Sequence, residues 1–194
     1  MNMNPSTNPK PGSVHLVGAG PGDPGLITVR AVQCLQEADL VLYDYLANPT
    51  LVDYAPEGAE LVRLGRHDQG RSLTPDEITE VMVGAALEGR NVVRLKGGDA
   101  SIFARGGDEA DACREKGIPF DFVPGITSGL ATAAYAEIPL THFEDASAVA
   151  LVTGHERDDK EESHLDYSAL AMFPGTLVFY MGVKYAGRWS GALI

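Results

Sequence analysis

"HLVGAGPGDPGLITVRA", His15 to Ala31, decides how the chain is read. An apolar run from Val14 to Val17 has the character of a buried strand, glycines follow at Gly18, Gly20 and Gly22, and a helical pattern begins near Leu26. Strand, glycine turn and helix in that order open a βαβ unit. The turn is not the dinucleotide fingerprint, which needs G-x-G-x-x-G. Here the spacing is G-x-G-x-G, with Pro21 inside it and Pro24 just beyond. A proline has no N–H to offer a phosphate. The next strand-like run closes on Tyr43-Asp44.

Outward from this stretch the pattern alternates. Strand-like runs fall at Val14–Val17, Leu40–Tyr43, Glu60–Leu64, Asn91–Leu95 and Pro119–Val123, with helical runs between them. The clearest helix is "LTPDEITEVMVGAALEGR", with Thr74 as N-cap, Pro75 at the first position, Glu77 completing a capping box and Gly89 as the stop. Ile78, Val81, Met82, Ala85 and Ala86 share its expected core face. Lys116-Gly117 closes a second helix in the same way. Strands alternating with helices predict an α/β fold whose first domain is built on a mainly parallel sheet. Ligands of such sheets sit beyond the carboxyl ends of the strands. The loops "GAGPGDPG", "YDYLANP" and "KGGDASIFARGG" should therefore open on one side.

The chain has 194 residues and a net charge of −12, which argues against nucleic acid or an anionic membrane surface as the main partner. Seven of its fifteen basic residues lie between Arg63 and Arg105: Arg63, Arg66, Arg71, Arg90, Arg94, Lys96 and Arg105. Their charge pattern alone fits a solvated face better than an anion site. No apolar run has the length of a membrane span, and "MNMNPSTNPKPGS" lacks the basic-then-apolar order of a signal peptide. Cys34 and Cys113 fall in separate helical segments and read as small buried groups, which suits a reducing, cytoplasmic setting. His15, His67, His142, His155 and His164 show no ligand spacing, so no metal site is expected.

After Val123 the composition changes. "VPGITSGLATAAYAEIPLTH" is rich in small residues, and only two further strand-like runs follow, "SAVALVTG" and "GTLVFYMG". The expected division is a disordered tail over 1–12, an N-terminal α/β domain over 13–122 and a second α/β domain over 123–194. That second unit is short for burying a core of its own, and the chain reads as C-terminally truncated.

Four places offer chemistry. Gly97-Gly98 after a buried strand allows close backbone approach, and Asp99 follows with a carboxylate suited to a hydroxyl pair, a cation or its own turn. Asp44 ends the second strand at the same edge, as a candidate base or a helix cap. Thr127 and Ser128 offer hydroxyls at a helix start. Met181 closes an apolar strand, where its sulfur suits a flat ring or core filling.

The segments "VGAGPGDPGLIT", "VVRLKGGDASIFARGG", "FVPGITSGLATAAYAEIPLTH", "LVTGH" and "LVFYMGV" stand in one order. Together, from about Val14 to Val183, they resemble the tetrapyrrole methylases, and among them the branch that methylates uroporphyrinogen III. The resemblance implies two α/β domains with S-adenosylmethionine folded in the cleft between them. It implies cofactor contacts at Pro21, Gly97, Gly98, Asp99, Ile102, Thr127, Ser128 and Met181. It further implies two methyl transfers to pyrrole carbons, giving precorrin-2 for sirohaem or cobalamin synthesis, in a homodimer. The family's proton acceptor falls on Asp44 and its proton donor, a lysine, on Arg66. Arginine stays protonated and is a poor acid. Further departures are Tyr45 and Phe143, each where the family carries arginine, and Ala100-Ser101 in place of Pro-Phe. The cofactor half of the site thus reads as intact and the substrate half as altered. A methylase of another tetrapyrrole, or a fragment that binds cofactor without turnover, fits the same residues.

Overall fold

In the computed structural model, which describes residues 10–65, 73–155 and 164–194, the first unit carries five strands. They are β1 (Val14–Gly18), β2 (Leu40–Asp44), β3 (Glu60–Leu64), β4 (Val92–Lys96) and β5 (Phe120–Val123). The sheet runs β3-β2-β4-β1-β5 with every pair parallel. β4 is buried along its whole length, whereas β3 at one edge exposes Glu60 and Arg63. Charged side chains on an edge strand discourage pairing with another chain.

Helices cover both faces. Val17, Val41, Val93 and Leu95 pack with Ala31, Cys34 and Leu35 of α1 (Val29–Gln36). The alternate residues Val14, Leu16, Leu40, Leu42 and Val92 pack with Met82 and Ala86 of α2 (Pro75–Leu87) and with Ala110 and Cys113 of α3 (Gly106–Glu115). The two-residue strand period thus divides the core into two layers. α2 forms as its sequence predicts: Glu77 N–H donates to Thr74 Oγ1 at 3.3 Å and Thr74 N–H donates to Glu77 Oε2 at 2.8 Å. One expected core residue differs. Val81 is 41% exposed, because it stands about 100° round the helix from Met82; Ile78 and Val83 flank the buried stripe.

Cys34 and Cys113 are both buried free thiols. Burial pushes both pKa values up, Cys113 to about 11 with the charge of Glu109 adding to the effect. Residues 1–9 of the expected tail lie outside the described residues, and Gly12 N–H donates to Ala86 O at 2.8 Å.

The chain divides into two units after Ser128, beyond the composition change at 122–123. The intervening turn belongs with the sheet because Gly125 N–H donates to Asp99 Oδ2 at 2.9 Å. The second unit, Gly129–Ile194, contains most of α4 (Ser128–Tyr135), then β6 (Val149–Thr153), α5 (Tyr167–Ala171), β7 (Thr176–Tyr180) and α6 (Ala186–Leu193). β6 and β7 form a parallel pair. Among its described residues only Ala131 and Val152 are buried apolar groups, which agrees with the small core expected of so short a segment. Phe179 stacks on Trp189 with ring centroids 4.3 Å apart.

Candidate active site

The first unit gathers its loops at one end of the sheet, as the parallel topology requires. Gly20 and Gly98 form a bridge: Gly20 N–H donates to Gly98 O at 3.0 Å, and Gly98 N–H donates to Gly20 O at 2.7 Å. The positive φ of Gly98, 69°, is the left-handed conformation that glycine adopts freely. A Cβ on Gly125 would come within 2.3 Å of Gly98 O, so these backbones approach too closely for any side chain. Asn48 Nδ2 donates to Gly22 O at 2.7 Å and ties the loop after β2 to the glycine-proline turn. Pro21, half-buried, lies between the bridge and that tie. Gly97 packs against Leu46 so closely that a Cβ would sit 2.9 Å from the leucine Cβ.

Asp99 fastens this assembly. Its Oδ1 accepts from Ser101 N–H at 2.8 Å and from Ser101 Oγ at 2.6 Å, while Oδ2 accepts from Gly125 N–H. Burial alone would raise its pKa. The hydrogen bonds from Ser101, Gly125 and the Ile102 backbone outweigh burial and hold the carboxyl below its ordinary value. Ser101, one of the departures from the family pattern, therefore contributes a hydroxyl that phenylalanine lacks. Thr127 is buried and Ser128 exposed at the first position of α4, and both stand beside Gly98, 3.7 Å from the point where its Cβ would lie.

Asp44 occupies the last position of β2, partly exposed. Arg94 Nη2 donates to its Oδ1 at 2.6 Å. Arg94 Nε donates to Glu109 Oε1 at 2.9 Å, and Lys96 Nζ donates to both Glu109 oxygens, at 2.9 and 2.8 Å. Arg94, Lys96 and Glu109 are buried. Burial, and then the neighbouring Arg94 charge, lower the pKa of Lys96 against the opposing pull of Glu109. This corrects the sequence expectation of a solvated basic face at two positions: Arg94 and Lys96 point inward, while Arg63 and Arg105 are exposed as expected. The signal was the alternation Val92, Arg94, Lys96 on a strand covered on both faces. Glu109 is the counterpart, one residue from Ala110 and four from Cys113 on the buried stripe of α3.

Arg66 lies outside the described residues. Tyr45 is 60% exposed and packs at Gly65, and Phe143 is 98% exposed. In the second unit Met181 follows β7 with φ 56° and is half exposed. Backbone in that region costs an ordinary residue about 1 kcal/mol or more and is found at ligand clamps. No group of three His, Cys, Asp or Glu side chains among the described residues has metal-binding geometry.

The donor set of the first unit fits a cationic nucleoside better than a phosphate. No basic residue stands between Gly18 and Leu26, while Asp44 and Asp99 put carboxylates at the same edge. Glycine backbone, two hydroxyls and half-buried apolar Ile102 complete it. This chain belongs to the tetrapyrrole (corrin/porphyrin) methylases, whose family profile matches residues 13–193. It is 49% identical over 177 residues to an S-adenosyl-L-methionine-dependent uroporphyrinogen III methyltransferase of Methanosarcina barkeri, covering 91% of this chain and 69% of that one. It is 50% identical to a uroporphyrinogen-III C-methyltransferase of Bacillus subtilis over 90% of this chain, but it spans only 36% of that longer relative. Among solved structures it is similar to the uroporphyrin-III C-methyltransferase of Thermus thermophilus complexed with S-adenyl homocysteine, with TM-score 0.77, 38% identity, and 94% of this chain and 75% of that chain covered.

Proposed function

We propose that this chain catalyses methylation of uroporphyrinogen III to precorrin-2, with S-adenosylmethionine as methyl donor. The observation that carries the reading is the glycine-floored edge, where Gly20, Gly98, Asp99 and Gly125 lock three loops into one surface beside Thr127 and Ser128. The relatives that bear these activities in their names, nearly half identical over most of this chain, support it.

When bound, S-adenosylmethionine supplies an electrophilic methyl group on a sulfonium sulfur. Pro21, Gly97, Gly98, Asp99, Ile102, Thr127 and Ser128 would hold it. With it bound, these residues would hold the sulfonium methyl in line with a pyrrole carbon of the substrate, and the methylated product would have a proton to lose. Rate depends chiefly on holding the partners in line. Asp44 takes the proton, and Arg66, always cationic, steers a substrate carboxylate rather than acting as an acid. In this reading the protein works as a cytoplasmic homodimer on a small tetrapyrrole, with neither nucleic acid nor membrane as partner; no helix among the described residues is long and apolar enough to cross a membrane.

Incubation with uroporphyrinogen III and methyl-labelled S-adenosylmethionine under reducing conditions tests the proposal. Two labelled methyl groups per product molecule are expected. A related methylase would leave uroporphyrinogen unlabelled and label another tetrapyrrole; the exposed Tyr45 and Phe143, where the family carries arginine, give that outcome its physical basis.

A further inference from the structure

Four charged side chains in the first unit form a line that begins in the core and ends at the active edge. Lys96 Nζ donates to both Glu109 oxygens, Arg94 Nε donates to Glu109 Oε1, and Arg94 Nη2 donates to Asp44 Oδ1. The guanidinium is further fixed by Nη1, which lies 3.4 Å from the carbonyl oxygens of Leu42 and Leu95. The signs alternate, so each buried charge meets its opposite. Only Asp44, the terminal member, is substantially exposed, with 30% of its side chain accessible against 8% or less for the other three.

Stability alone does not account for this arrangement. Buried ion pairs are commonly no better than well-packed apolar side chains of the same volume. Two cations on β4 facing one carboxylate on α3 would also leave a net positive charge in the core, and Asp44 completes the balance. Among the described residues only Oδ1 of Asp44 is engaged, which leaves its second oxygen for a ligand at the strand end. We propose that Arg94, Glu109 and Lys96 are positioning residues that aim Asp44 for proton removal from the methylated ring. The inference rests on the role given to Asp44 above. Glu109 touches neither Asp44 nor the reacting atoms; it acts by fixing the guanidinium, and Lys96 acts by fixing Glu109.

A kinetic cycle separates this role from a merely structural one. Glu109→Gln keeps the shape and removes the charge. In the otherwise unchanged chain it should lower kcat on the order of 10- to 100-fold, as a displaced reacting group does, with KM little changed. In an Asp44→Asn background the same substitution should change kcat less than about twofold, because the group being aimed is already gone. Equal losses in both backgrounds would overturn the proposal. Arg94→Lys is the second variant, used if Glu109→Gln does not fold: a single ammonium cannot serve both carboxylates as the fork does, so it should reproduce the kcat loss and the same masking by Asp44→Asn. The carboxyl carbon resonance of Asp44 provides a readout free of turnover. It should move in Glu109→Gln, and an unmoved resonance would overturn the relay. A chain without turnover whose Asp44 resonance still moves would contradict the proposed methylation and leave the relay standing.

Discussion

Asp99 turns both carboxylate oxygens onto its own surroundings, Oδ1 to Ser101 and Oδ2 to Gly125. Its first role is therefore to hold the loop beside Thr127 and Ser128. Asp99→Ala should cost about 1.5–3 kcal/mol, the range for hydrogen bonds to a charged group, read from urea unfolding. It should also weaken S-adenosylhomocysteine binding while the melt stays cooperative; unchanged affinity would contradict the role. The pH dependence has a definite sign. The folded carboxyl is held below its usual value, so in the window between folded and unfolded values the unfolded chain binds the extra proton. That stabilisation is complete above about pH 4 and lost as the pH falls through the folded value. The stability gap between the unsubstituted chain and Asp99→Asn should narrow correspondingly on acidification. At this scale the sequence named Asp99 and Asp44 from their places after strands; it offered Asp99 its own turn, met at Ser101, but neither Gly125 for Asp99 nor Arg94 for Asp44. A hydrogen bond spanning 26 residues, like that from Gly125 to Asp99, has no local pattern to announce it. The two cysteines were legible, since small apolar-stripe positions on helices are buried. Neither thiol should react with iodoacetamide in the native chain, and both should react on unfolding; rapid native labelling of Cys113 would contradict its burial.

At the scale of elements, β4 and α3 meet through charge as well as through apolar contact. Glu109→Ala leaves Arg94 and Lys96 sharing the core with no buried anion between them, which should cost about 3–5 kcal/mol. Replacing Lys96 by Met and Glu109 by Leu together should cost far less, because the cation and anion leave as a pair. Equal losses for the single and double changes would show the pair to be irrelevant to packing. α2 was read correctly down to its capping box, since every determinant of its start lies within four residues. The inward turn of Arg94 and Lys96 was missed for a physical reason. Charge pattern along the chain records no depth, and only the burial of β4 on both faces turns an alternating Val-Arg-Lys series toward α3. Val81 was misplaced for the opposite reason, because helical spacing gives the width of an apolar stripe only roughly.

For the whole molecule, the order of glycine turns after parallel strands gave the fold and the edge at which its loops gather. The sheet order β3-β2-β4-β1-β5 was not legible, since it is fixed by long-range pairing rather than by any one segment. The departures from the family pattern belong at this scale too. If Arg66 acts on substrate only through its charge, Arg66→Lys should retain or improve turnover; total loss of activity with normal cofactor binding would contradict that role. The most direct measurement of the account is calorimetric titration of the chain with S-adenosylhomocysteine. Saturable binding at one site per chain is predicted. A cooperative melt with no heat of binding would contradict the claim that these loops form a cofactor site in this chain.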